Sequence, residues 1–454
     1  MCRWNRPEDG GWLATVNMNS SRFTPARKIA LGYAALAVAG SLLLMLPWCR
    51  RVPVHYTDAL FTAASASYVT GLTTVTPATT WTPLGAVVIA LLIQIGGAGI
   101  TFVTTLVYLA LGRKINLGER KFIAEDKNFG VHGIVRLIKS VLHFSLAIEG
   151  IAAVVFALYF HFHYGYPWVR AAGFAAFHAI SAFNNAGFDL WGSSLDGFQT
   201  DAVVLFLTSV LIILGGLGFV VLAELYSYHR HRTLSLHTRI VLSVTSVLLL
   251  SGTALTLLFE AGHSMAHLSW PYKVLNAWFS SVTLRTCGFE SVPIGHMRDV
   301  TWFIYVVYMF IGASPGSTGG GIKTTTTYTM VKTALATIRG RADIVAWERT
   351  IPWDIAIKSL VIFMLSLGVV MAGTLVAAVF EPSIEFIRLL FEVVSAFGTV
   401  GLTTGITGII GEPMKWVLIF TMYIGRIGIL TFLVSLSERV RSHARYVEER
   451  ILIG

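Results

Sequence analysis

The stretch "FTAASASYVTGLT", residues 61–73, has three counterparts in this chain: "FHAISAFNNAGFD" (177–189), "WFSSVTLRTCGFE" (278–290) and "FEVVSAFGTVGLT" (391–403). In each, an aromatic residue stands ten positions before a glycine: Phe61, Phe177, Trp278 and Phe391 before Gly71, Gly187, Gly288 and Gly401. Leu or Phe follows each glycine. Ser65, Ser181 and Ser395 lie six positions before it, and the third copy has Val282 there. A second glycine recurs 24–28 residues further on, in "QIGGAG" (Gly96), "ILGGLG" (Gly215), "FIGASP" (Gly312) and "YIGRIG" (Gly425). Two registers repeated four times, at a spacing of about 100–116 residues, identify four tandem structural units.

These units are membrane units. Of 454 residues 55% are hydrophobic and only 13% charged, and mean hydropathy is +0.69, which excludes an ordinary soluble domain. Apolar runs of spanning length begin near residues 29, 84, 141, 202, 240, 300, 355 and 415. The repeated segments between them are too short to span and too apolar for loops, and read as re-entrant helices. The predicted fold is an all-α integral membrane protein of four helix–pore-helix–helix repeats, with eight spanning helices and four re-entrant loops around one pore. Its parts are an N-terminal segment (1–28), repeat 1 (29–111), a loop (112–140), repeat 2 (141–226), repeat 3 (240–336), repeat 4 (354–436) and a tail (437–454).

Charge sets the orientation. Of the 34 Lys and Arg, 24 fall in residues 1–28, 112–139, 227–240, 332–358 and 437–454, the side that holds both termini and alternate loops. That side is expected to be cytoplasmic. The net charge of +10 is thereby a matter of topology, and nucleic acid is not an expected partner. No cleavable signal peptide is evident. Cys2, Cys49 and Cys287 lie far apart, with neither a disulfide framework nor metal-ligand spacing.

Glycine loops behind short helices suit an ion path. A cation entering a membrane exchanges its water shell for fixed oxygens, and rings of backbone carbonyls supply them. Glycine accepts positive φ and so can aim its carbonyl at a central axis, while the helix before it points its negative end at the same place. The expected filter comprises Thr70 and Gly71; Asn185, Ala186 and Gly187; Thr286, Cys287 and Gly288; and Val400 and Gly401. The alternative use of glycine in membrane helices is close packing, the favoured reading for Gly96, Gly215, Gly312 and Gly425.

The motifs "VTGLT", "NNAGF", "RTCGF" and "TVGLT", with "GSTGGGIKT" and "GRIGILT", resemble those of the KtrB/TrkH/HKT superfamily of potassium transporters. The resemblance covers residues 29–436, and eight spans without an extra N-terminal helix pair favour the KtrB branch. It implies a homodimer in the cytoplasmic membrane of a prokaryote, one pore per protomer, carrying K+ inward. It also implies a cytosolic nucleotide-binding regulatory ring (KtrA-like), with ATP or ADP on that partner and nothing but K+, or alternatively Na+, on this chain. A serine at the first filter glycine marks the sodium-favouring branch of the family. Gly71 therefore points to potassium.

The segment 312–327, "GASPGSTGGGIKTTTT", interrupts a spanning pattern, and irregular backbone at membrane depth is tolerated where it lines a watery path. In the family the corresponding segment gates the pore. The expected gate comprises Gly312, Gly316, Ser317, Thr318, Gly319, Gly320, Gly321, Lys323 and Arg426. Lys323 either snorkels to the interface or holds the gate, Arg426 lies deeper in its helix, which favours a gate or pore-electrostatic role over snorkelling, and Arg285 could brace its loop against Glu290 or Asp189. "GSTGGGIKT" is not a phosphate-binding loop, because Ile322 separates the glycines from the lysine and no strand precedes it. The histidines form no H-E-x-x-H pair, and no catalytic constellation supports the rival reading of a membrane enzyme. Glu149 and Glu224 are candidates for a coupling-ion site, with anchoring equally open for Glu224. A sodium or mixed-cation conductor is the rival within transport.

Overall fold

The structure, a computed structural model, describes residues 24–99 and 134–436. The expected cytoplasmic segments 1–23, 112–133 and 437–454, and the end of repeat 1 (100–111), lie outside the described residues. The first copy contains α1 (Pro25–Leu44), α2 (Tyr56–Ser67) and α3 (Pro83–Ala98). The second contains α4 (Ile134–Phe162), α5 (Trp168–Phe183), α6 (Ala202–Leu217) and α7 (Phe219–His231). The third contains α8 (Leu236–Glu260), α9 (Trp270–Thr283), α10 (Asp299–Phe310) and α11 (Thr324–Ile338). The fourth contains α12 (Trp353–Phe380), α13 (Phe386–Gly398), α14 (Glu412–Ile427) and α15 (Ile429–Leu436). An antiparallel hairpin, β1 (Ile344–Ala346) with β2 (Arg349–Ile351), links α11 to α12. Its two turn residues, Trp347 and Glu348, both have positive φ, the backbone a tight hairpin requires.

Local sequence sets where the helices start. Pro25 and Pro83 open α1 and α3, where a missing N–H costs nothing, and the hydroxyls of Thr24 and Thr82 cap them. Asp201 caps α6 by accepting from the N–H groups of Val203 (2.9 Å) and Val204 (3.0 Å). The four longest apolar helices turn one face outward, as at Leu42, Ile151, Leu250 and Met364. The short helices that lead into the repeated loops are largely enclosed. Every residue from Asp58 to Ser67 of α2 is buried, and α13 is buried from Phe391 to Gly398. A short helix buried on all sides belongs to a core, and α2, α5, α9 and α13 form it.

Eight spans were expected. Among the described residues, four helices are long and apolar enough to cross a membrane, or six if two bent pairs each count as one span. Those pairs, α6 with α7 and α14 with α15, bend by 101° and 99°. The cause is a glycine three positions after the second repeated one. Gly99, Gly218 and Gly428 have φ of 93°, 94° and 88°, which a helix cannot continue through. In the third copy that position is Pro315, and the helix stops at Phe310 and resumes at Thr324. The interruption expected in one copy alone therefore recurs, in shorter form, in the second and fourth copies, and in the first copy α3 ends at the corresponding Gly99.

The first and fourth copies are tied together. Lys415 of α14 lies 2.7 Å from Asp58 of α2, with side chains 13% and 11% exposed. Arg27 Nε donates to the carbonyl of Ser435 at 2.7 Å, and the Tyr423 hydroxyl to that of Ala30 at 2.8 Å. Lys415→Met would leave Asp58 enclosed without its cation. Allowing for its remaining exposure, we expect a loss of roughly 2 kcal/mol, read as a lower thermal midpoint in detergent. The double variant Asp58→Asn/Lys415→Met should recover more than half of it.

Candidate functional site

Each pore helix delivers its loop by the same backbone move. The residue two before the loop glycine has left-handed φ in all four copies: Val69 (57°), Asn185 (60°), Thr286 (69°) and Thr399 (50°). Gly71, Gly187, Gly288 and Gly401 follow at 99°, 69°, 85° and 95°. Val, Thr and Thr are β-branched, and for them this region is a genuine outlier, costing about 1–2 kcal/mol per residue. The same cost at the same place four times means that the surrounding packing imposes it. The N–H groups of Thr70, Ala186 and Val400 each donate at 2.8 Å to the carbonyls of Ser65, Ser181 and Ser395, folding the loop back onto its helix end. Cys287 departs from this pattern, donating to Thr283 at 3.0 Å.

The four loops meet in a closed cycle. A Cβ added to Gly71 would come closer than 3.0 Å to the carbonyl oxygen of Ala186. One on Gly187 would strike that of Cys287, one on Gly288 that of Val400, and one on Gly401 that of Thr70. Chain order is thus also spatial order, and the last copy closes on the first. Thr70, Asn185, Ala186, Thr286, Cys287 and Val400 are buried, and the carbonyls of Thr70, Ala186, Cys287 and Val400 are the oxygens set against the neighbouring glycines around the cycle. In the first and fourth copies the pore-helix serine holds the loop, because Ser65 Oγ and Ser395 Oγ accept from the N–H of Gly71 and Gly401 at 3.0 Å. Ser181 Oγ makes no such bond in the described structure.

The second glycines pack. Gly96, Gly215 and Gly425 abut the carbonyls of Ser67, Phe183 and Phe397, each four residues before its loop glycine. Gly312 departs, lying against Gly320 and Gly321 of its own loop.

That loop packs against the glycine loops of the third and fourth copies and against α6 of the second. Thr318 N donates to Gly215 O and Ser314 N to Gly216 O, both at 3.2 Å. Gly320 N donates to Thr399 Oγ1 at 3.1 Å, and Gly319 has no room for a side chain beside Thr286 Oγ1. Ser317 Oγ donates to Ser314 O at 2.6 Å, Gly312 N to Ile322 O at 2.8 Å, and Phe219 N to Gly316 O at 3.1 Å. Gly321 takes φ of 66° to turn back against Gly398. Lys323 Nζ donates to Gly319 O at 2.7 Å and Gly320 O at 3.3 Å, clasping the loop to α11. Arg426 donates to the carbonyls of Thr318 and Gly96, and at 3.4 Å to that of Gly97. Its charge deep in the protein is received by oxygens of two different copies. A polar cavity of about 310 Å³ lies between the loop and α14, bordered by Ser317, Lys323 and Arg426.

One expectation is corrected, and one open alternative is decided. Arg285 pairs with neither Glu290 nor Asp189 among the described residues. Those carboxylates turn to backbone N–H groups instead, Glu290 to Ile294 at 3.3 Å and Asp189 to Gly192 at 2.5 Å, while Arg285 stays buried at the end of α9. Glu224 is an anchor, its Oε2 accepting from Ser235 N (3.1 Å) and Ser235 Oγ (2.9 Å) across the α7–α8 turn. Sequence reasoning missed Val69 and Thr399, and the bend glycines Gly99, Gly218 and Gly428. The bend glycines did carry a signal, a G-x-x-G spacing from the second repeated glycine. The described residues hold no cluster of three metal-ligating side chains.

Comparison with known proteins fits this arrangement. The profile of the TrkH family, described as cation transport proteins, matches residues 17–444. Ktr system potassium uptake protein B of Bacillus subtilis is 39% identical over 95% of this chain and 97% of its own. Potassium/sodium uptake protein NtpJ of Enterococcus hirae is 38% identical, over 95% and 98%. The crystal structure of the potassium transporter TrkH from Vibrio parahaemolyticus superposes with a TM-score of 0.73 at 20% identity, over 92% of this chain and 86% of that one, and shares its fold. The chain belongs to the TrkH family of cation transport proteins. It is a multi-pass membrane transporter of a family that is not enzymatic.

Gly71→Ser and Gly401→Ser would each drive a side chain into a neighbouring carbonyl. We expect the preference for K+ over Na+ to fall at least about tenfold, or about 1.4 kcal/mol, in competitive uptake by cells that require added potassium. Gly408→Ser, where a Cβ meets open space, should leave it unchanged. Wild-type discrimination in both loop variants would remove these carbonyls from the ion path.

Proposed function

We propose that the chain is the ion-translocating subunit of a potassium uptake system, with its four copies acting as repeats around a single pore. K+ sheds water to carbonyls of Thr70–Gly71, Asn185–Gly187, Thr286–Gly288 and Val400–Gly401 and passes inward along their common axis. The observation that carries this reading is the closed cycle of four glycine loops, each against the next one's carbonyl. Glycine at all four positions, Gly71 included, favours potassium. A sodium or mixed-cation transporter is the second reading, favoured by the resemblance to a relative named for potassium and sodium.

Residues 312–327 act as the gate. They pack against the loops of the third and fourth copies and against α6, and are held to the other copies by the bonds of Thr399 and Arg426 and by those to Gly215, Gly216 and Phe219. Displacing the loop would require these contacts, the Arg426–Thr318 contact among them, to break. The positive loops support a topology with both termini in the cytoplasm of a prokaryote. Resemblance to a subunit of a Ktr system supports a homodimer and a separate cytosolic ring that binds ATP or ADP. That ring shifts the gate only if its two nucleotide states bind open and closed forms with different affinity.

Rubidium flux into proteoliposomes tests the pore and the gate together. We expect uptake that excess K+ suppresses and Na+ barely affects, and higher flux per folded protein when Gly319–Gly321 are deleted. Added ring should make flux differ between ATP and ADP. Absence of flux would remove the pore reading, a deletion that only lowers folded protein would remove the gate, and equal flux in both nucleotides would remove the regulation.

A further inference from the structure

The second filter loop lacks the internal serine clamp that holds the first and fourth, and a carboxylate stands behind it. Glu149, midway along α4, is 5% exposed. Its Oε1 accepts from Asn184 Nδ2 at 2.9 Å and from Gln94 Nε2 at 3.2 Å. Asn184 is the residue on which α5 ends, and the next one is the left-handed Asn185. The same Asn184 amide reaches Gln94 Oε1 at 3.1 Å and Ile180 O at 2.9 Å. Its Oδ1 fills the space that a side chain at Gly97 would need. Three helices, α3, α4 and α5, therefore converge on one side chain, immediately before the loop.

Packing does little to hold this cluster from outside. An apolar cavity of about 680 Å³ borders Gln94, Glu149 and Ile180 on that flank. Hydrogen bonds supply the restraint, and the two that Glu149 Oε1 accepts tie α4 to α3 and to the end of α5. We infer that Glu149 is a positioning residue for the second filter loop: with Gln94 it clamps Asn184 from outside, in place of the missing Ser181–Gly187 bond, and so sets discrimination between K+ and Na+. The inference rests on the reading of the four loops as the ion filter. It differs from a coupling-ion role for Glu149, in which the charge itself would matter more than the acceptor oxygens.

The test is Rb+ uptake under Na+ competition by the full-length protein in liposomes, normalised to monodisperse folded protein, for Glu149→Ala, Glu149→Gln and Gly187→Ser. We expect Glu149→Ala to lower discrimination about tenfold, the scale of leaving the buried Asn184 donor unsatisfied. Glu149→Gln keeps an acceptor oxygen and should return discrimination to within about twofold of wild type. Wild-type discrimination in Glu149→Ala overturns the inference. So does a Glu149→Gln variant as impaired as Glu149→Ala, which would assign the role to charge. Should Glu149→Ala fold too poorly, Gln94→Ala is read in its place, with the same direction expected. If Gly187→Ser alters discrimination and Glu149→Ala does not, only this inference fails; if neither does, the filter reading fails with it.

Discussion

The carbonyl oxygen of Thr70 occupies the space that a side chain at position 401 would need, and Ala186, Cys287 and Val400 stand in the same relation to Gly71, Gly187 and Gly288. This contact, a glycine face against a neighbour's carbonyl, admits no Cβ and is made four times in a cycle. It forces Val69, Asn185, Thr286 and Thr399 into backbone conformations that none of them prefers. The buried pore helices exist to bring those loops to one axis, and the longer apolar helices around them screen the core from lipid. The Asp58–Lys415 pair and the bonds from Arg27 and Tyr423 close the cycle where the chain itself leaves it open.

Below the ring, a charge that would be costly in a membrane is satisfied by carbonyls. Arg426 links the end of α3 in the first copy to the irregular loop of the third from its own place in the fourth. The loop is thereby coupled to the one feature all four second helices share, a break after the second glycine. In three copies a single glycine with φ near 90° makes that break. In the third copy Pro315 stands at that position, and a long loop takes its place. The difference between the copies is local.

Much of this could be read from the chain. The spacing of Phe61, Phe177, Trp278 and Phe391 to their glycines located the short helices α2, α5, α9 and α13, because an aromatic anchor and a loop glycine each need a particular residue type. The segment 312–327 stood out because glycine, proline and lysine do not belong in an apolar span. The strained residues were hidden for the opposite reason. Val and Thr favour extended backbone, so nothing in Val69 or Thr399 announces positive φ, which only the tertiary contact imposes. Arg285 was assigned a partner by proximity in sequence, yet the carboxylates it was given had backbone donors closer at hand. The reach of Arg426 to Gly96 joins residues 330 positions apart, and no local pattern encodes it.

The central claim is that the four glycine loops bind the ion together on one axis. Crystals grown or soaked with Tl+ or Rb+ test it through anomalous scattering. The account predicts a peak on the axis encircled by Gly71, Gly187, Gly288 and Gly401, lost when the ion is replaced by a non-scattering one that does not permeate. An ordered protein whose anomalous peaks all lie away from that axis, beside Glu149 or in the cavity beside Arg426, would contradict it.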